Sequence, residues 1–372
     1  MTFFVPSIRA LRRASLVATF ALASLTPALA QEAAAEPESE SLPIVYVLAT
    51  GGTIAGQGAS AVRPAEYQGA QLTGNELVDA IPELAQLADT RVIQISNVGS
   101  PSISFTEWRA LAMEANRLLN SEEENVAGIV VTHGTNTLEE TAYFLNLTIQ
   151  SDKPVVVIGA QRPATALSAD GPYNLYTAVR LAADPNARGM GVMVAMNEEI
   201  NAARDVFKSN TYRVEAFRSG ELGFLGYIDT DQITFYRQPV HRHTYNSEFD
   251  ISQIEELPPV EIVYSYTEAS GLPITAFAEA GVAGVIIAGH GAGGSSPDQT
   301  AAINALREEG NEMIVVRSNH TGNGRVLDRE GNAENLILHA DNLQPKKARI
   351  LLQLALATTD DPAEIQRMLL EY

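Results

Sequence analysis

The chain has 372 residues, with 25 Lys and Arg against 45 Asp and Glu, a net charge of −20 and no cysteine. So acidic a chain is repelled by phosphate backbones, which argues against nucleic acid as a partner. The absence of cysteine excludes thiolate chemistry and a disulfide frame, so stability must come from an apolar core.

The first thirty residues read as a leader for export. Arg9, Arg12 and Arg13 precede an apolar stretch from Leu16 to Leu25, and Ala28-Leu29-Ala30 fits the small-residue rule for signal-peptidase cleavage. The apolar stretch is shorter than the ~20 residues of a membrane-spanning helix, so no membrane association is expected after cleavage. The adjacent arginines leave both the Sec and the twin-arginine route open. Removal of residues 1–30, which carry three arginines and no acid, leaves 342 of the 372 residues and takes the charge from −20 to −23. Residues 31–41, rich in Ala, Glu, Pro and Ser, read as a flexible lead-in.

Strand-like and helical runs then alternate. "IVYVLA" (44–49), "VIQI" (92–95), "GIVVT" (128–132), "PVVVIG" (154–159) and "GVMVAM" (191–196) are short, apolar and rich in β-branched residues. Helical patterns such as 107–119 and 171–183 lie between them. This order predicts an α/β fold with a larger N-terminal parallel-sheet domain over 42–235. From Thr230 the chain turns polar, and 236–258 reads as a connection. A smaller C-terminal α/β domain of Rossmann-like pattern follows over 259–372. Its strands are "VEIVYSY" (260–266), "GVIIAG" (284–289) and "EMIVVRS" (312–318), with helices near 274–280 and 298–309 and a closing pair over 346–357 and 362–372.

Several chemistries are disfavoured by their motifs. There is no HExxH, and His241 with His243 reads as a surface pair in the connection rather than a ligand pair, so no metal is expected. No G-x-S-x-G elbow is present. Gly289-His290-Gly291-Ala292-Gly293-Gly294 matches the dinucleotide fingerprint, but the next helix should start near Ser296 and the strand near Val316 ends without a carboxylate. No cofactor is expected.

Two threonine turns carry the positive signal. "VLATGGTIAG" (47–56) ends the first strand in Thr50-Gly51-Gly52-Thr53, and "VVTHGTNTLEETAYFL" (130–145) ends another in His133-Gly134-Thr135-Asn136-Thr137. The glycines allow close backbone approach and free amide hydrogens for an oxyanion. Thr137 with Glu140 fits a capping box that starts the next helix. If the two strands are neighbours, Thr53 and Thr135 face one cleft at the carboxyl ends of a parallel sheet. A threonine hydroxyl needs a proton acceptor before it attacks. Tyr67, on a loop rich in Ala, Gly and Gln, is one candidate, and Lys208 in "ARDVFKSN" is another if burial lowers its pKa.

"TGGTIAG" and "THGTNTLEETAYFL" resemble the two signature segments of the bacterial L-asparaginase and glutaminase-asparaginase family, in its exported type II branch. "KPVVVIGAQRP", "SADGPYNLYTA", "ARDVFKSN" and "KARILLQLAL" follow that family in the same order, so the resemblance covers nearly the whole mature chain. It implies a left-handed crossover in the larger domain, a homotetramer of intimate dimers, and hydrolysis of a side-chain amide to acid and ammonia without metal or cofactor. Carried over by position, Thr53 and Thr135 match the catalytic threonines, Tyr67 the tyrosine of the active-site lid and Lys208 the family's lysine. Ser100 matches the serine that holds the substrate's α-carboxylate. Gly52, Gly134 and Asn136 are expected to line the substrate.

The departures cluster at the amino-acid end of the site. The family writes aspartate where this chain has Asn136, glutamine where it has Pro101, and asparagine in the glycine loop where it has Gly294. Glu330 and Glu334 are two placements for its C-terminal-domain glutamate. Two rivals follow: an amidase for an asparagine relative whose α-amino group is absent or acylated, and a silent binding protein of the same fold. N-terminal sequencing of exported material is expected to begin at Gln31, and an intact Met1 in a periplasmic fraction would overturn the leader reading.

Overall fold

In the computed structural model, which describes residues 41–328 and 335–372, the strand Ile44–Gly51 lies between two parallel neighbours, Asp89–Val98 and Val126–Thr132. Its central residues Val45, Val47 and Leu48 have no exposed surface, as a parallel strand covered on both faces requires. The chain therefore passes from Asp89–Val98 over the first strand to Val126–Thr132 by way of the helix Phe105–Leu119. That helix starts at a capping box between Ser104 and Glu107, and its buried face carries Trp108, Leu111, Ala112, Ala115 and Leu118. Val155–Ile158 and Val192–Met196 continue the sheet in parallel.

The sheet then reverses. Three short strands, Glu199–Ala202, Gly226–Ile228 and Ile233–Phe235, add in antiparallel sense and bring it to eight. None was expected from the sequence, and the last lies inside the stretch read as polar and irregular. The connection after it is packed rather than loose. Phe249 and Ile251 belong to the main apolar cluster, and His243 is buried with its Nδ1 2.8 Å from the Thr244 hydroxyl. The expected surface pair is thus corrected, since His243 faces the interior and His241 is half-covered.

The smaller sheet is parallel throughout, in the order Val260–Tyr264, Gly284–Gly289, Ile314–Asn319 and Ile337–His339, the last being one strand more than the sequence suggested. Helix Pro297–Glu308 starts at a capping box on Ser296, so the final glycine of the glycine run does not open it. One apolar cluster takes in Phe144 and Leu145 beside the larger sheet together with Ile286, Val316 and Leu351 beside the smaller. Helix Pro345–Leu356 fills this position, packed on helix Leu138–Thr148 and on the smaller sheet. Among the described residues no helix is long and apolar enough to cross a membrane. The leader, the lead-in up to residue 40, and Glu330 and Glu334 lie outside the described residues.

Candidate active site

Register fixes where the two threonine turns meet. Leu48 stands opposite Val131 and Ala49 opposite Thr132, so both strands end at the same height. The Thr50 hydroxyl donates to the Thr132 carbonyl at 2.9 Å and stitches the ends together. Gly51 and Gly52 then turn with φ of 103° and 84°, a region that favours glycine. A Cβ on Gly52 would lie 2.2 Å from the Gly134 Cα, and one on Gly134 would lie 2.8 Å from the Ser100 Cβ. The two glycine turns therefore touch through backbone, and the Ser100 side chain packs against Gly134.

This contact corrects one expectation. The Gly52 amide donates to the Val98 carbonyl at 3.1 Å, so it is not free for an oxyanion. Close loop packing accounts for the missing side chains at Gly52 and Gly134.

The turns present their hydroxyls to two different partners. Thr53 Oγ1 lies 2.7 Å from the Tyr67 hydroxyl. Tyr67 sits on a two-residue strand, Tyr67–Gln68, paired with Gln57–Gly58, and Gly56 leaves room for its ring. The segment after Tyr67 is held to the turn below it, with the Ala70 amide donating to the Gly52 carbonyl at 2.9 Å. At the second turn Lys208 Nζ donates to Thr135 Oγ1 at 2.7 Å. Lys208 belongs to a short strand, Phe207–Lys208, and is half-buried. Burial pushes its ammonium below the ordinary lysine value, opposed by the charge of Glu139. Both threonines are nearly buried, at 8% and 5% exposure, so their hydroxyls lie where bulk water is scarce.

Ser100 opens a turn of 3₁₀ helix over Ser100–Ser102 and is buried. Its hydroxyl accepts from the Asn136 amide at 3.2 Å, and its carbonyl accepts from the Thr137 hydroxyl at 2.9 Å. The expected capping box at Thr137 is therefore absent: Thr137 is the N-cap residue of helix Leu138–Thr148, but its side chain is spent on the Ser100 loop. Thr137 is a tether that local pattern reading missed. Asn136 and Pro101 are exposed at the surface of this cluster. Gly294 lies apart from these contacts in a turn closed by backbone hydrogen bonds with His290, at the end of the strand Gly284–Gly289. Among the described residues no group of three or more His, Asp or Glu could hold a metal ion.

His133 faces inward. Its Nδ1 meets the Gly134 carbonyl at 2.7 Å and its Nε2 meets the Thr141 hydroxyl at 2.9 Å, while Trp108 donates to that hydroxyl at 2.7 Å. These partners fit a neutral imidazole that donates from Nδ1 and accepts at Nε2. Full burial drives its pKa down to about 4.

Family models for "Asparaginase, N-terminal" and "Glutaminase/Asparaginase C-terminal domain" match residues 44–241 and 259–369. L-asparaginase 2 of Bacillus subtilis is 44% identical over 339 residues, covering 91% of this chain and 89% of that protein. Glutaminase-asparaginase of Pseudomonas fluorescens is 44% identical over 359 residues, covering 95% and 96%. The crystal structure of a probable cytoplasmic L-asparaginase from Campylobacter jejuni superposes with a TM-score of 0.84 at 42% identity, covering 89% of this chain and 100% of that one.

The buried imidazole predicts a pH dependence of stability. Its folded pKa of about 4 lies below the ordinary 6.5, so the unfolded chain takes the proton first as the pH falls. Stability is complete above pH 6.5 and is lost progressively down to pH 4, by roughly 3 kcal/mol for this group. Chemical denaturation across that range should show the loss, and His133→Gln should flatten it.

Proposed function

The chain belongs to the asparaginase family and is an amidohydrolase of the L-asparaginase type, and we propose that it cleaves the side-chain amide of asparagine, or of a close relative, by threonine nucleophilic catalysis. The observation that supports this most is the pair of hydroxyl contacts, Thr53 with Tyr67 and Thr135 with Lys208, each at 2.7 Å on neighbouring strand ends.

In this reading Thr53 Oγ1 attacks the carboxamide carbon, and its proton leaves along the contact to Tyr67. The tetrahedral intermediate collapses as the amide nitrogen takes that proton from Tyr67 and departs as ammonia, leaving an ester on Thr53. Lys208, with its ammonium disfavoured by burial, takes a proton through Thr135 from the water that hydrolyses the ester. The departing Thr53 oxygen takes a proton back as the acid forms, which restores both groups. The sum is amide plus water to carboxylic acid plus ammonia. No bound metal or cofactor enters the sequence of steps. Ser100 holds the α-carboxylate from its buried turn.

We also propose export, from the leader in residues 1–30, and assembly as a homotetramer of intimate dimers, from the family resemblance alone. The Campylobacter relative is described as cytoplasmic, so N-terminal sequencing and fractionation carry the weight on location.

Thr53→Ala and Thr135→Ala should each lower amide turnover by several orders of magnitude while the fold persists, since catalytic groups acting as a unit fail singly. Ammonia release with thermal unfolding checks both. Half the native rate in either variant would make that threonine a turn residue.

Asn136 favours a second reading, of a substrate whose α-amino group is absent or acylated. A carboxylate facing an ammonium makes a charge-assisted contact about twice as strong as a neutral one. Its loss costs on the order of 1.5–3 kcal/mol, or roughly ten- to a hundredfold in substrate capture. The native protein is therefore expected to turn over free L-asparagine weakly, with a clear gain in kcat/KM for Asn136→Asp. Kinetics with L-asparagine and an N-acylated analogue decide it, and efficient native turnover with no gain would sink the lost-contact argument.

A further inference from the structure

Helix Leu138–Thr148 begins with two adjacent glutamates in its first turn. Glu140 keeps some exposure, whereas Glu139 is 1% exposed. A carboxylate taken that far from water is costly unless donors or cations meet it. Glu139 is met by two. One oxygen accepts the backbone N–H of Lys208, and the other pairs with the ammonium of Lys346 in the first turn of helix Pro345–Leu356. The same Lys208 carries the ammonium that donates to Thr135. A single buried side chain thus joins the helix packed on the smaller sheet to the backbone of the residue that faces the second threonine.

We propose that Glu139 is a positioning residue for Lys208, and that Lys346 sets how much of the Glu139 charge Lys208 feels. The inference rests on the reading above of Lys208 as a base. With neutral Asn136 next to Thr135, Glu139 is the charge that opposes the effect of burial on Lys208. The charged groups facing this carboxylate are Lys208 from its short strand, Lys346 and Lys347 from helix Pro345–Leu356, and Glu140 from its own helix. Arg349 faces Glu140, and Arg204 and Asp205 face Lys347. Lys347 is committed elsewhere, since its buried ammonium donates to the carbonyls of Arg204 and Val206. Lys346, with 44% of its side chain exposed, can be changed without opening the core.

The two partners should act on Lys208 in opposite directions. Glu139→Gln keeps an acceptor oxygen for the Lys208 N–H but removes the charge that favours the ammonium, so Lys208 titrates lower. Lys346→Met frees Glu139 from a competing cation, so Lys208 titrates higher. A base is active when neutral, so where ester hydrolysis limits turnover the rising acid limb of kcat follows Lys208.

The test is the pH profile of ammonia release from L-asparagine and an N-acylated analogue for the full-length native protein and both variants, with thermal unfolding run alongside. The acid limb of kcat should move to lower pH in Glu139→Gln and to higher pH in Lys346→Met, each by about half a unit or more. Limbs that stay in place, or that move the same way, would overturn the proposal. If Glu139→Gln does not fold, the direction of the Lys346→Met shift alone decides. Native protein without any amide turnover would sink the amide-hydrolase reading, and this inference with it. Normal native turnover with unmoved limbs sinks only the inference.

Discussion

The site depends on a contact between two glycine turns with no side chain between them. Parallel neighbours run about 4.8 Å apart, and their ends can continue side by side only if both turns stay thin. At Gly52 and Gly134 they do, and a single added Cβ would sit 2.2 Å from the facing backbone. The hydrogen bonds around the contact serve the same end. Thr50 closes on the Thr132 carbonyl, the Gly52 amide on Val98, and Thr137 on Ser100. Thr53 and Thr135 are therefore placed by backbone geometry and strand register, which are stiffer than side-chain packing. That stiffness holds the two hydroxyls in a fixed relation on neighbouring strand ends.

The parts of this arrangement visible in the sequence are those that repeat locally. Apolar, β-branched runs bounded by turns announced the five strands of the larger sheet from Ile44–Gly51 to Val192–Met196, and three of the four in the smaller. Strands of three or four residues such as Gly226–Ile228 and Ile337–His339 are too short to show a period, and pairing with a neighbour is what makes them strands. Thr137 and Glu140 had the spacing of a capping box, but a nearby carbonyl outbid the local pattern, as tertiary contacts often do. The glycine turn was read as offering free amides, and only the fold shows Val98 already taking one.

The candidate site residues were named mainly through resemblance to a family, and the reason is distance along the chain. Lys208 and Thr135 are 73 residues apart, and Lys346 and Glu139 are 207 apart. No periodicity reports on pairs so separated. Glu139 was not singled out beside Glu140 at this helix start, and its burial follows from helix Pro345–Leu356 packing across it. Adjacent residues of like charge can thus have unlike roles once one of them is turned inward.

Exposure divides the site into a part that cannot vary freely and a part that can. Thr135 is held between buried Gly134 and the Lys208 ammonium, and His133 behind it is locked into a neutral tautomer by Thr141. Any change there breaks buried hydrogen bonds, each worth about 1–3 kcal/mol when one partner is left unmet. Asn136 and Pro101 stand at the exposed rim, where a new side chain meets solvent or substrate and little else. The departures from the family pattern at Asn136 and Pro101 fall on that rim. Side chains there can then change with small cost to the fold, while the Thr53 and Thr135 hydroxyls stay fixed by the register beneath them.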